Sequence, residues 1–237
     1  MLGIFVQLLV SWALLRFVQQ KDLSALGYRP FKKRFFQFLI GVMFASVLCG
    51  AFQLFESWLT HLDWKLNDNL DVYIFGESIW WNLKSVLFEE FIFRGALLFI
   101  AVERLGVKKG VLLSGAAFGI YHWFSFGVIG NPIAMTVVFG ATGLMGLAWA
   151  YSFTATKSMA LPIGLHFGWN YVTNSVFSKG PIGDQILIAV KGENYAELTG
   201  LINLLNFVLP IIITALLTYG LACRLRENES KAKTIAS

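Results

Sequence analysis

Apolar residues fill this chain in long runs, and the polar positions collect between them. The first run covers residues 3–18, the second 35–58 and the third about 79–102. A fourth spans about 111–126, a fifth about 133–153, a sixth about 158–177 and a seventh about 199–222. A helix needs about 20 apolar residues to cross the hydrocarbon layer. The pattern therefore predicts an all-α fold, a polytopic transmembrane helical bundle of about seven spans. Between the runs, 61–77 is mainly acidic, with Asp63, Asp68, Asp71 and Glu77 against Lys65, and 178–198 is polar; both read as loops. A short basic loop is expected around Glu103, Arg104, Lys108 and Lys109. The small-residue pairs Gly115/Gly119 and Gly164/Gly168, each one helical turn apart, predict close approach of the fourth and sixth helices to their neighbours.

Composition agrees with the pattern. Of 237 residues, 57% are hydrophobic and 14% charged, with mean hydropathy +0.65, whereas a soluble domain carries about 25% charged residues. Only two cysteines are present, Cys49 and Cys223, which excludes a disulfide framework and any zinc–thiolate spacing. The net charge of +5 does not point to nucleic acid, because the basic residues sit between apolar runs. Fourteen of the 19 Lys and Arg follow runs one, three and five or lie in the tail, which includes Lys231 and Lys233. Lys65, Lys179 and Lys191 are the three on the other side. That bias places the N-terminus outside and the C-terminus in the cytoplasm. No basic residue precedes the first run, the reverse of a signal peptide, and the terminal Thr-Ile-Ala-Ser is not a prenylation box.

One stretch breaks the apolar rule: Phe88-Glu89-Glu90-Phe91-Ile92-Phe93-Arg94, inside the third run. A charge at the bilayer centre costs about 2.5–3.5 kcal/mol, so these groups must face protein or water. Glu90 and Arg94 stand one turn apart and suit an ion pair. Glu89 points about 100° away from Glu90 and is left for a partner on another helix. Ser78, Asn82 and Ser85 fall within about 40° of the Glu89 direction, forming a stripe that serves either water and substrate entry or hydrogen bonding between helices.

Further chemistry comes from histidines. His61 falls in a loop, but His122 lies in the fourth run and His166 in the sixth, with Asn170, Thr173 and Asn174 continuing the His166 face. Ionisable groups inside a membrane are expensive and mark functional sites. No Gly-x-Ser-x-Gly elbow and no His-Glu-x-x-His is present, so serine and zincin chemistry are disfavoured. Two schemes stay open. Glu89, His122 and His166 could hold zinc with an open fourth position. Alternatively, a carboxylate could activate water directly, with histidine and asparagine donors at the oxyanion. Both hydrolyse an acyl bond.

Glu89-Glu90-x-x-x-Arg94, Phe118-x-x-x-His122 and His166-x-x-x-Asn170, in that order on successive helices, resemble the three motifs of the CPBP family. Its members are the CAAX prenyl endopeptidases and the bacteriocin-processing or immunity proteins, also called the Abi family. The resemblance covers about residues 78–175. It implies an intramembrane endopeptidase, a hydrolase often labelled a metalloendopeptidase, in which Glu89 and His122 activate water and His166 and Asn170 bind the oxyanion. Glu90, Arg94 and Phe118 would support the site. The chain then divides into two spans and an outer loop (1–77), a catalytic core (78–175), and an outer loop, last span and basic tail (176–237). The expected partners are the bilayer, of a bacterial cell membrane, and a membrane-associated peptide or protein substrate. A non-catalytic immunity or peptide-binding protein is the alternative. A carrier is disfavoured, because no internal repeat is visible.

Overall fold

In this computed structural model the order of elements follows from the apolar runs. Helix α1 covers Leu2–Gln19, α2 Phe31–Thr60, α3 Val72–Phe93, α4 Ala96–Ser125, α5 Pro132–Thr156, α6 Ala160–Tyr171 and α7 Gly200–Ala236. The backbone is described for residues 2–236 and the side chains for all of these but Glu229 and 232–236; Met1, Ser237 and the side chains of Lys233 and of the C-terminal Thr-Ile-Ala-Ser therefore lie outside what is described.

The protein is inside-out relative to a soluble one. Phe5, Leu9, Met43, Val47, Trp58, Leu201 and Leu216 stand exposed, while Arg94, Glu90 and Asn82 are fully buried. Four helical stretches are long and apolar enough to cross a membrane: Leu2–Gln19, Leu23–Thr60, Pro132–Thr156 and Gly200–Asn228. The chain is a mostly helical integral membrane protein.

Close packing explains two of the glycine pairs. A Cβ on Gly164 would collide with the Phe38 carbonyl oxygen, and one on Gly168 with that of Val42. The α2 and α6 backbones therefore touch, as the spacing predicted. At Gly119 a Cβ would lie 2.7 Å from the Phe139 ring, which brings α4 equally close to α5.

Three features depart from expectation. The third run is not one helix. It ends at Phe93, Arg94 takes φ −122° and ψ 4°, and a new helix starts at Ala96. Gly95 makes this turn because a side chain there would run into the Phe91 carbonyl oxygen. The expected basic loop is present but reduced to a sharp reversal at Gly106 (φ 79°, ψ 163°), which divides α4 into two helical pieces folded against each other, so that a Cβ on Gly110 would meet the Val102 backbone. Finally, the two polar loops contain a ribbon that an all-α reading omits. Strand β1 (Leu62–Leu66) pairs antiparallel with β2 (Leu187–Lys191), with Leu62 opposite Lys191. Leu62, Trp64 and Leu66 alternate with Asp63 and Lys65, a two-residue period that the charge count hid. Trp64 fixes the ribbon to the bundle: its indole N–H donates to Ser57 Oγ at 2.7 Å, and its ring meets Phe177 edge-on.

The ribbon joins the two loops that charge assigns to one side. At the opposite end, Met159 N–H donates to Leu26 O at 3.1 Å and the Ser158 hydroxyl to Gly27 O at 2.6 Å. These contacts join the segments after α1 and α5, both assigned to the basic side.

Candidate active site

Helix α3 buries Ser78, Asn82, Val86 and Glu90, spaced four residues apart along one face. This face binds α3 to the chain around α6. The Asn82 amide donates to Ser175 Oγ and to Ser78 O, each at 2.8 Å, and Asn174 donates to Asn82 Oδ1 at 2.9 Å. Both Asn174 and Ser175 lie on a π-helical turn, Val172–Val176, that ends α6. Ser78 and Asn82 therefore serve helix–helix bonding. Only Ser85 of the polar stripe shares a cavity with Glu89. Thr173, also on the extended polar line, reaches Cys49 Sγ at 3.2 Å.

Glu90 and Arg94 form the expected pair, with Oε1 3.3 Å from Nη1 and both side chains fully buried. Sequence reading missed what else holds them. Glu90 Oε1 also accepts from His166 Nδ1 at 2.8 Å. The Arg94 guanidinium lies 4.1 Å from the Phe118 ring centre and 5.3 Å from that of Trp149. Such a desolvated cation–ring contact contributes about 2 kcal/mol, and it stands in for hydrogen bonds the guanidinium lacks among the described residues.

Glu89 faces the other way. Its Oε2 lies 3.9 Å from His122 Nε2 and 3.8 Å from His166 Nε2, with 13% of its side chain exposed. Both imidazoles are oriented from behind. His122 Nδ1 is 2.8 Å from the Phe118 carbonyl oxygen, which can only accept, so Nδ1 carries hydrogen. The neutral ring then turns the lone pair of Nε2 toward Glu89. His166 donates through Nδ1 to Glu90, and its Nε2 is 3.1 Å from the Asn170 amide nitrogen. Trp149 stacks on His166 with ring centres 4.1 Å apart. No sequence signal marked Trp149, an aromatic in an apolar run.

The structure thus brings Glu89, His122, His166 and Asn170 together, with Glu90, Arg94 and Phe118 behind them. As zinc ligands they fit poorly. Tetrahedral zinc at about 2.0–2.1 Å from each ligand needs ligand atoms about 3.4 Å apart, and Asn170 already engages the His166 lone pair. Among the described residues, no group of three His, Cys, Asp or Glu is placed to hold a metal ion.

A cavity of about 360 Å³ adjoins Glu89. Trp81, Lys84, Ser85 and Phe88 of α3 line it, with Tyr121 of α4 and Gly3 at the start of α1. Helix α1, which carried no motif, closes one wall.

A buried Glu/His/Asn cluster inside a helical bundle with four candidate membrane spans defines a class: an integral membrane protein with a polar site buried between its helices. The family is narrower. The family model described as type II CAAX prenyl endopeptidase Rce1-like matches residues 72–172, from the first residue of α3 through α6. Over these residues the chain is similar to the CPBP/CAAX protease family, the same family that its three motifs resemble. No curated protein and no solved structure matches the chain significantly.

Proposed function

We propose that the protein is a CAAX-type intramembrane endopeptidase that hydrolyses a peptide bond in a membrane-associated substrate. The observation that carries this reading is Glu89 Oε2 held 3.8–3.9 Å from two imidazole Nε2 atoms. That spacing is too long for direct hydrogen bonds and leaves Glu89 Oε2 buried without a hydrogen-bond partner among the described residues, an unmet acceptor that a water drawn in between the three groups would satisfy. In the glutamate scheme Glu89 takes one proton as the water oxygen attacks the scissile carbonyl carbon, and His122 Nε2 accepts the water's other hydrogen. The carbonyl oxygen becomes an oxyanion. Asn170 gives one amide hydrogen to His166 and has a second for that oxyanion. When His166 carries hydrogen on both nitrogens, Glu90 is its counter-ion and Nε2–H is a further donor. Proton return from Glu89 to the departing amine completes the cycle.

The proposed topology is seven membrane-crossing segments, the N-terminus outside and the C-terminus in the cytoplasm of a bacterial cell. The Lys/Arg bias supports it, as do the contacts that join loops of like assignment at each end.

The test uses purified protein and lipid-anchored peptides, with and without prenylation. Wild type cleaves and Glu89→Gln does not, by about 10²–10⁴-fold, with both melting alike. Peptide bound by wild type but never cut would favour the non-catalytic alternative. Cleavage persists after chelation of metal. Loss on chelation with recovery on stoichiometric zinc would replace the glutamate scheme with the metalloendopeptidase one.

A further inference from the structure

A groove of about 570 Å³ runs between α4, α5 and α7, and the chemistry above does not use it. It shares no lining residue with the cavity at Glu89. Leu112, Leu144, Ile212 and Leu216 wall it over a floor of Ala148 and Ala215. Leu112, Ile212 and Leu216 are exposed, so the groove opens outward from the bundle. From Leu144 to Tyr151, and from Ile212 to Tyr219, its walls follow seven residues of helix, about 10.5 Å. The polar lining gathers at one end. There Tyr151 and Tyr219 bring their ring centres within 4.5 Å, and Lys108 supplies a charge. Arg226 continues the Tyr219 side of α7, two turns on. It stands three residues beyond Cys223, whose Sγ lies 3.4 Å from the Tyr151 hydroxyl. Both cations are exposed, and among the described residues no hydrogen bond or ion pair engages the Lys108 ammonium. Val107 and Lys108 also open the second piece of α4, past Gly106. The first N–H groups of a helix favour an anion.

We infer that this groove binds an anionic phospholipid, with an acyl chain along the apolar walls and the phosphate at Lys108 and Arg226. An amphiphile of that shape matches a slot that is greasy along its length and cationic at its mouth. The cations stand on the side that the Lys/Arg bias assigns to the cytoplasm, where the membrane surface is negative and basic pockets between helices take anionic headgroups. A second copy of the chain fits less well. Helices associate in a membrane through small residues that let backbones close, and these walls present Leu112, Ile212 and Leu216 instead. Spread over its length, the volume gives a slot about 8 Å wide, narrower than a helix of about 10–12 Å.

The test measures binding and does not depend on the peptidase reading. Native mass spectrometry follows lipid on the purified protein, titrated with phosphatidylglycerol, with phosphatidylcholine of the same chains, or with inorganic phosphate. Wild type is expected to hold phosphatidylglycerol about 25-fold more tightly than phosphatidylcholine, the worth of two basic residues at an anionic surface. Lys108→Gln should weaken it about 5-fold, and Lys108→Gln with Arg226→Gln should remove the preference. Lys108→Arg should keep it. Both positions are exposed, so these variants should melt like wild type. Leu112→Trp, which plugs the slot, should lose both lipids; if it does not accumulate, the charge variants decide alone. Equal affinity for the two lipids overturns the site, as does an unchanged preference in the double variant. Inorganic phosphate held by the same cations as tightly as the lipid assigns the rim to a free anion and overturns it. Displacement of the lipid by a farnesylated peptide gives the groove to substrate, and a dimer that Leu112→Trp disperses gives it to a second copy; either overturns it as well.

Discussion

Replacing Arg94 with Met keeps most of the volume and removes the charge that balances Glu90. Both side chains are fully buried and 3.3 Å apart, so no water screens what is left behind. Glu90 would keep His166 Nδ1–H as a partner, while its Oε2 has none among the described residues. Breaking one side of a buried pair costs about 3–5 kcal/mol, and the stacking on Phe118 is lost with it. For a chain of this size each kcal/mol moves the midpoint by about 2–4 °C, so the Tm should fall by about 10 °C. Glu90→Gln should cost a similar amount by stranding the guanidinium. The double variant is the sharper measurement. With neither charge present, the penalty largely disappears, and the two single effects should exceed the double by about 2 kcal/mol or more. Thermal unfolding in detergent, followed by tryptophan fluorescence, reads all four proteins. Either single variant within about 1 kcal/mol of wild type, or an additive double variant, would refute the claim that the two groups hold each other.

Other expectations are simpler. Gly164→Val should abolish accumulation of folded protein in membranes, because its Cβ meets the Phe38 carbonyl; Gly50→Ala, with nothing within 4 Å, should be silent. Normal yield of the Gly164 variant by fluorescence-detected size exclusion would contradict the packing. A reporter fused after Ser237 should prove cytoplasmic; a periplasmic signal would reverse the topology.

The polar cluster was legible because polar groups are costly in long apolar runs. Glu89, His122, His166 and Asn170 stood out against apolar surroundings, and helical spacing paired Glu90 with Arg94 before any coordinates. What escaped was set by tertiary context. Trp149 is one aromatic residue among many, and only the fold shows that its ring and that of Phe118 lie against the Arg94 guanidinium. The break at Arg94–Gly95 was hidden because hydrophobicity continues through it unchanged. Asn82 left two readings open, and its partners at Ser175 and Asn174 depend on a π-helical turn that no periodicity announces. The ribbon was lost for the opposite reason: its acidic residues drew the eye from the alternation beneath them.

The break after Phe93 carries its own consequence. A helix that stops inside a packed bundle leaves carbonyl oxygens without partners, and such ends persist only when something caps them. Here the Ser114 hydroxyl, from α4, donates to the Phe93 carbonyl at 2.8 Å. Ser114 precedes His122 by eight residues on the same helix, about 12 Å of rigid rise. The stopper on the acid-bearing helix and the imidazole opposite its carboxylate thus belong to one rod. The gap between Glu89 and His122 is gauged by that rod, as a caliper's jaws are set by its beam.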